Sequence, residues 1–267
     1  MLLKSSELAD YIKAQQVQAV RSLQHTGIKP KLAIVQAGTM VVSDTYVRLK
    51  QAYGQDIGVE VERYDTDTSN LVDTIQRLNG TDSIHGIIVQ LPLPESIDTG
   101  EVLNRIDSVK DVDGLGAESA FDPATPTAIL WLLSEGNVEL DSKTIGVIGH
   151  GRLVGAPLVR ILKASGHEPL IADKETGDVA ELMRECDVVI TATGRPGLIT
   201  PDMVHSGQVI IDAGTSSEDG SLVGDVDSSL YERSDLKISP VPGGVGPLTV
   251  AALFANVIEA FKRQGRG

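Results

Sequence analysis

The chain of 267 residues has one cysteine, few aromatics and far fewer basic than acidic side chains. Each shortage excludes something. Cys186 alone cannot close a disulfide within the chain, and no Cys/His/carboxylate grouping has the spacing of a metal site. It lies in "RECDVVITATG", just ahead of an apolar run, and reads as a small core side chain. Aromatics make up only 3% of the residues, so the 41% hydrophobic fraction suits an α/β protein cored by Val, Ile, Leu and Ala. With 23 Lys and Arg against 37 Asp and Glu, the formal net charge is -14. Such a chain is not expected to bind nucleic acid or an anionic membrane, although a local cluster of cations can still hold an anionic small molecule. No apolar run approaches the roughly 20 residues of a membrane span. The start, "MLLKSSELADYIKAQQ", turns polar too soon for a secretory signal, so a cytoplasmic protein is expected.

What is present is βα alternation, in two blocks. "SSELADYIKAQQVQAVRSLQ" has serine caps and helical period. "KLAIVQAG" is an apolar strand, "SDTYVRLKQAYGQDIG" a helix closed by Gly58, and "VEVERYD" an alternating strand. "SNLVDTIQRLNG" is a further helix, and "HGIIVQLPLP" a strand stopped by Pro92 and Pro94. This β-α-β-α-β order predicts a parallel sheet with helices on both faces. The second block runs from "TIGVIGHG" through "APLVRILKASG", "HEPLIAD", "GDVAELMREC", "DVVITATG" and "QVIIDAG". Between the blocks, "LLSEGNVELDSK" is polar and turn-rich, the composition of a linker. A glycine-proline loop and a long amphipathic helix close the chain.

The second block opens on a strand that ends in Gly149-His150-Gly151-Arg152 and feeds a helix at Gly155. Glycines there let the backbone turn sharply and approach a pyrophosphate, whose charge meets the helix N-terminus. "TATG", with Thr193, and "DAG", followed by Thr215, also end on glycine, along the sheet edge where ligands bind. A nicotinamide coenzyme is expected. Asp173 ends the second strand, 22 residues beyond Gly151. A carboxylate there accepts from the ribose hydroxyls of NAD and repels the 2′-phosphate of NADP. Lys174 and Arg152 point the other way, since either cation can bind a phosphate.

In the first block Tyr46 and Lys50 are four apart and share one helix face. A Tyr-x-x-x-Lys pair is also used by short-chain dehydrogenases, but there the glycine loop precedes the pair. Here the order is reversed, which excludes that family. Taken in order, "YVRLK", "VQLPLP", "KDVDG", "VIGHGRLVGAP" and "PVPGGVGPLT" resemble the bifunctional methylenetetrahydrofolate dehydrogenase/methenyltetrahydrofolate cyclohydrolase family over essentially the whole chain. The resemblance implies an N-terminal folate-binding domain, residues 1–136 joined by a C-terminal helix 246–267 that returns to it. It implies a Rossmann-type NAD(P)-binding domain at 137–245, and commonly a homodimer. It implies that Lys50 is the catalytic lysine, Tyr46 its helix partner, Gln90 the glutamine that contacts it and Asp113 the carboxylate that anchors the pterin ring. Tetrahydrofolate one-carbon derivatives would then meet Tyr46, Val89, Gln90, Leu91, Asp113 and the loop Pro242, Gly243, Gly244, Val245 and Gly246. The coenzyme would meet Gly149, His150, Gly151, Arg152, Asp173, Lys174, Thr193 and Thr215.

The implied chemistry suits these residue types. A hydride leaves the methylene carbon of the folate for the nicotinamide, and the folate nitrogens stabilise the methenyl cation. Water then attacks that cation and 10-formyltetrahydrofolate results, with Lys50 assisting proton transfer if burial lowers its pKa. Departures from the family pattern gather around the coenzyme. His150 and Gly151 stand where an arginine or small polar residue and a serine are usual, and the last turn reads "GTSS" instead of Gly-Ile-Asn. "LGAESAFDPATP" after Asp113 is short, lacks an Asn-Gly pair, and has Ala124 where cysteine is common. Family usage points to NADP, whereas Asp173 and the missing loop arginine point to NAD. Two other readings stay open at this level, a cyclohydrolase that has lost its coenzyme and a non-catalytic folate-binding protein.

Overall fold

The computed structural model describes residues 1–23, 27–38, 41–173, 178–218 and 221–265. They form two compact units, one of Asp10–Ala124 with Val250–Gly267 and one of Met1–Ala9 with Thr125–Thr249.

In the first unit three parallel strands, β1 (Lys31–Ala37), β2 (Glu60–Thr66) and β3 (Gly86–Val89), pair in the order β2-β1-β3. Helices α1 (Ser6–Leu23), α2 (Val41–Ile57), α3 (Leu71–Asn79) and α4 (Thr99–Leu103) surround them. β1 is buried from Leu32 to Ala37 because helices cover both faces of a parallel sheet, which is why its sequence does not alternate. Ala33, Val35 and Ala37 join Ile87 and Val89 against Leu71, Ile75 and Leu78 of α3. On the opposite face lies α2, whose Gly54 approaches β2 so closely that a Cβ would stand 2.5 Å from Val61 Cγ2.

The long C-terminal helix, labelled α8 (Val245–Gln264) in chain order, joins this unit from residue 250 onward. Tyr53 of α2 stacks on Phe254 at 5.0 Å between ring centroids. Gln16 of α1 donates to the Ala251 carbonyl at 2.7 Å and accepts from the Tyr53 hydroxyl at 2.8 Å. By length and a mean hydropathy of 1.3, α8 could cross a bilayer, contrary to the expectation that no segment reaches that measure. Its Leu248, Ala251, Phe254, Val257 and Ala260 are instead fully buried, so its apolarity belongs to a core helix.

The second unit has five parallel strands, β4 (Ile145–Ile148), β5 (Leu170–Ala172), β6 (Val188–Thr191), β7 (Val209–Asp212) and β10 (Lys237–Ile238), in the order β10-β7-β6-β4-β5. A separate hairpin pairs β8 (Ser216–Glu218) with β9 (Ser221–Val223). Helices α5 (Ala124–Glu135), α6 (Gly155–Ala164) and α7 (Val179–Glu185) complete the unit. Strand order reverses between β4 and β6, and such a switch point leaves a crevice at the carboxyl ends of its strands.

The units divide at 124/125 and 249/250, whereas the sequence reading placed the boundaries at 136/137 and 245/246. Two contacts account for the difference. The Leu3 amide donates to the Ile238 carbonyl at 2.8 Å, tying the first residues to β10. Lys237 Nζ donates to the Gly136 carbonyl at 3.0 Å, which holds the end of α5 in the same unit.

Candidate active site

Lys50 is placed by α2 and Gln90 by the end of β3, where its amide donates to the Val35 carbonyl at 2.8 Å. Lys50 Nζ donates to Gln90 Oε1 at 2.9 Å. Gln90 Nε2 is occupied by the Leu91 carbonyl at 3.0 Å, so the carboxamide is locked with its oxygen toward the lysine. Burial holds the Lys50 pKa below the ordinary lysine value, and the charge of Asp113 only partly offsets this. Asp113 is displaced upward, first by burial, with Lys50 opposing and Asp111 adding to the shift. A lysine poised nearer neutrality, fixed by a neutral acceptor and facing a carboxylate, is equipped to take up and release a proton. Tyr46, one turn before Lys50, is 37% exposed.

The segment that carries Asp113 is anchored on both sides. Buried Lys110 donates to the carbonyls of Leu78, Asn79 and Thr81 at 3.3, 2.7 and 2.9 Å, capping the C-terminal end of α3. Asp111 Oδ2 accepts from the Gly116 amide at 2.8 Å, and Asn104 Oδ1 accepts from the Ala117 amide at 2.8 Å, which pins the short loop. From α8, Asn256 donates to the Val112 carbonyl at 2.9 Å. Gly114 must be glycine: its φ is +72° and a Cβ would stand 2.7 Å from the Pro123 nitrogen. Of the other expected folate contacts, Val89 is 1% exposed with its side chain in the core, so it can offer a ligand only backbone, and Leu91 packs half-buried against that core. Pro242, Gly243, Gly244, Val245 and Gly246 belong to the second unit. There the Gly243 carbonyl accepts from the Ser5 amide at 3.0 Å and from the Ser5 hydroxyl at 3.1 Å.

The glycine loop shows two kinds of glycine. Gly149 has φ +91° and a Cβ would stand 2.6 Å from the Ala192 carbonyl oxygen; a Cβ on Gly155 would overlap the Gly149 carbonyl. Those two are required by the turn and by the fit of α6 against the strand. At Gly151 a Cβ would meet nothing, so the loop presents bare backbone to open space there. His150, Gly151 and Arg152 are exposed, and Asp173 is exposed at the carboxyl end of β5. Lys174 lies outside the described residues. Glycine at the turn, open approach over Gly151 and a ten-residue helix behind it fit a dinucleotide pyrophosphate.

Two buried aspartates shape the neighbouring turns, and no motif pointed to them. Asp225 accepts from the Thr191 hydroxyl at 2.6 Å, the Thr193 amide at 2.7 Å and the Arg195 amide at 2.9 Å. Asp212 accepts from the amides of Gly214, Asp225 and Val226 at 3.0, 3.1 and 2.9 Å. Together they hold the turns of Thr193 and Thr215, which approach where a Cβ on Gly194 would stand 3.6 Å from the Thr215 carbonyl. Burial raises the Asp212 pKa to about 6. The pair is 13 residues apart and meets only through the fold, so spacing gives no signal for it.

The tetrahydrofolate dehydrogenase/cyclohydrolase family matches in two parts, its catalytic-domain model at residues 3–113 and its NAD(P)-binding-domain model at residues 123–265. The chain is 38% identical over 273 residues to the bifunctional protein FolD of Heliobacterium modesticaldum, covering 97% of this chain and 95% of that one. Among solved structures, the bifunctional FolD methylenetetrahydrofolate dehydrogenase/cyclohydrolase of Campylobacter jejuni superposes with a TM-score of 0.92 at 34% identity, covering 98% of this chain and 99% of the other. The N5,N10-methylenetetrahydrofolate dehydrogenase-cyclohydrolase of Trypanosoma brucei, solved with NADP and an inhibitor, gives 0.92 at 31% identity, covering 100% and 99%. The chain belongs to the tetrahydrofolate dehydrogenase/cyclohydrolase family.

Proposed function

We infer that this chain oxidises 5,10-methylenetetrahydrofolate with a nicotinamide coenzyme and hydrolyses the resulting methenyl compound to 10-formyltetrahydrofolate. The observation that carries the reading is the Lys50–Gln90 contact at 2.9 Å beside Asp113, in a chain that also holds an intact glycine loop.

Lys50 acts in the hydrolysis. As the oxygen of water bonds to the methenyl carbon, a water proton passes to the Lys50 amine, which Gln90 Oε1 holds in place. The lysine then gives that proton to N5 as the carbon–N5 bond breaks, while the hydroxyl proton of the intermediate leaves to solvent as the carbonyl forms. The formyl group stays on N10, one proton is released overall and the lysine is restored. Asp113 serves twice, as an anion that favours the ammonium form and as an acceptor for pterin N–H groups. When bound, the nicotinamide supplies the hydride acceptor for the oxidation. Gly149, Gly151 and the α6 N-terminus would hold its pyrophosphate, with Asp173 at the adenosine ribose and Thr193 and Thr215 on the adjoining turns. Oxidation itself asks no strong base of the protein, only orientation.

Asp173 favours NAD over NADP in this reading, and Arg152 is the cation on hand for a 2′-phosphate. A homodimer in solution and a cytoplasmic location complete it, with the folate unit extending over residues 1–136 and 246–267. The full-length relatives favour the bifunctional reading over a cyclohydrolase without coenzyme. Two assays on the purified chain test it: coenzyme reduction with methylenetetrahydrofolate, and decay of added methenyltetrahydrofolate absorbance. Both should proceed; absence of either removes one half of the reading.

A further inference from the structure

Buried polar atoms without a partner are rare in folded chains, and each asks for an explanation. Among the described residues two side-chain atoms are in that state, Asp111 Oδ1 and Gln36 Oε1. Asp111 has a local task, since its other oxygen holds the Gly116 amide. Gln36 has none of that kind. It is 2% exposed near the carboxyl end of β1, in the run Leu32–Ala37 that is otherwise apolar.

Strand register locates it. Val35 pairs with Val89, and the Gln90 amide donates to the Val35 carbonyl at 2.8 Å, so Gln36 and Gln90 stand side by side on neighbouring strands. Ala33, Val35, Ile87 and Val89 face α3. By alternation, Gln36 and Gln90 face the other way, with Leu32 and Ile34. That is the face α2 covers, because Gly54 touches Val61 and Val61 is the register partner of Leu32. From α2, Lys50 reaches Gln90 Oε1. Gln36 therefore carries a second, unpaired carbonyl oxygen on the same sheet face, at the strand position beside Gln90.

Building on the reading of Lys50 as the proton-transfer group, we propose that Gln36 is a positioning residue of the hydrolysis step, its Oε1 accepting a hydrogen bond from the ammonium formed when Lys50 takes the proton of the attacking water. The amine has two N–H groups and the ammonium three, while Gln90 accepts one. Each N–H of the charged form also donates more strongly than one of the amine, so a second acceptor matters most in the protonated state. Among the described residues the charge acting on Lys50 is that of Asp113, which itself feels Asp111. Gln36 adds to that set without adding charge.

The test is the pH profile of methenyltetrahydrofolate hydrolysis by the full chain carrying Gln36→Leu or Gln36→Glu, beside titration of Lys50 by NMR of carbon-13-labelled lysine. Gln36→Leu should move the Lys50-dependent limb and the NMR midpoint to lower pH, because the ammonium loses an acceptor. Gln36→Glu should move both to higher pH, because the acceptor becomes anionic. Coenzyme reduction at fixed pH should stay near wild type in the leucine variant, whose side chain is close in volume and leaves no unpaired oxygen. An unmoved limb and midpoint in both variants overturn the proposal. So does an equal loss of both activities without a pH shift, the mark of a merely structural residue, or a raised KM alone, the mark of direct folate contact. Lys50→Ala, run in parallel, separates the two levels: if it hydrolyses normally, the role of Lys50 falls first.

Discussion

Gln90 does more at the residue scale than lie near a lysine. Its amide nitrogen is committed to the Leu91 carbonyl, which leaves only the oxygen for Lys50. Leucine at this position would keep the volume and remove the acceptor. Losing one hydrogen bond to a charged group costs about 1.5–3 kcal/mol, or roughly tenfold or more in rate if the bond is retained in the transition state. Gln90→Leu should thus slow hydrolysis at least about tenfold, read as the initial rate of methenyl decay, while coenzyme titration is unchanged. Lys50, Gln90 and Asp113 were legible in the sequence only through their motifs. Spacing put Tyr46 and Lys50 on one helix face, but it could not show that Tyr46 is partly exposed while the Lys50 amine is desolvated. Gln36 was not legible at all. It sits in an apolar strand, and its meaning depends on a register partner more than fifty residues away in the chain.

Elements set the turns proposed to hold the coenzyme. Gly149 leaves β4 with φ +91° and with no room before the Ala192 carbonyl. Gly149→Ala should therefore weaken coenzyme binding severely and cost on the order of 1–3 kcal/mol in stability, as calorimetric titration and a urea midpoint would record. Hydrolysis should survive, since Lys50 and Gln90 belong to other elements. The Asp212–Asp225 pair gives a pH signature. The folded-state pKa of Asp212, about 6, lies above the ordinary aspartate value of 3.8. The native chain holds that proton more tightly than the unfolded one, so ionisation costs stability as pH rises. The cost is absent below about pH 4, grows through the interval, and is complete above about pH 6 at on the order of 3 kcal/mol. Urea midpoints measured from pH 4 to 7 should fall accordingly, and Asp212→Asn should flatten that slope even though it lowers the midpoint overall. Among the elements, strands and amphipathic helices were readable by period, but α5 was not. "ATPTAILWLLSE" is apolar all round, with Ala128, Ile129, Leu132 and Leu133 buried, so it lacks a polar stripe to announce a helix. Its last residues fell inside the supposed linker.

Over the whole molecule, Lys50, Gln90 and Asp113 lie in one unit and the glycine loop in the other. The parallel sheets and the βα alternation were legible because each rests on local period and glycine punctuation. The unit boundary was not, because it depends on the Leu3 amide meeting the Ile238 carbonyl across almost the whole chain. Coenzyme preference belongs to this scale as well, since it alters what the enzyme draws on without touching the folate residues. On the proposed placement of Asp173 at the ribose, NAD should be the better coenzyme by kcat/KM, and Asp173→Ser should shift the ratio toward NADP. A clear NADP preference that Asp173→Ser leaves unchanged would contradict this. The role of Lys50 is tested most directly by methenyltetrahydrofolate hydrolysis in Lys50→Ala, measured beside coenzyme binding in the same preparation. Hydrolysis should fall by about 10²–10⁴ with coenzyme affinity unaltered; hydrolysis at the wild-type rate would remove Lys50 from the proton transfer.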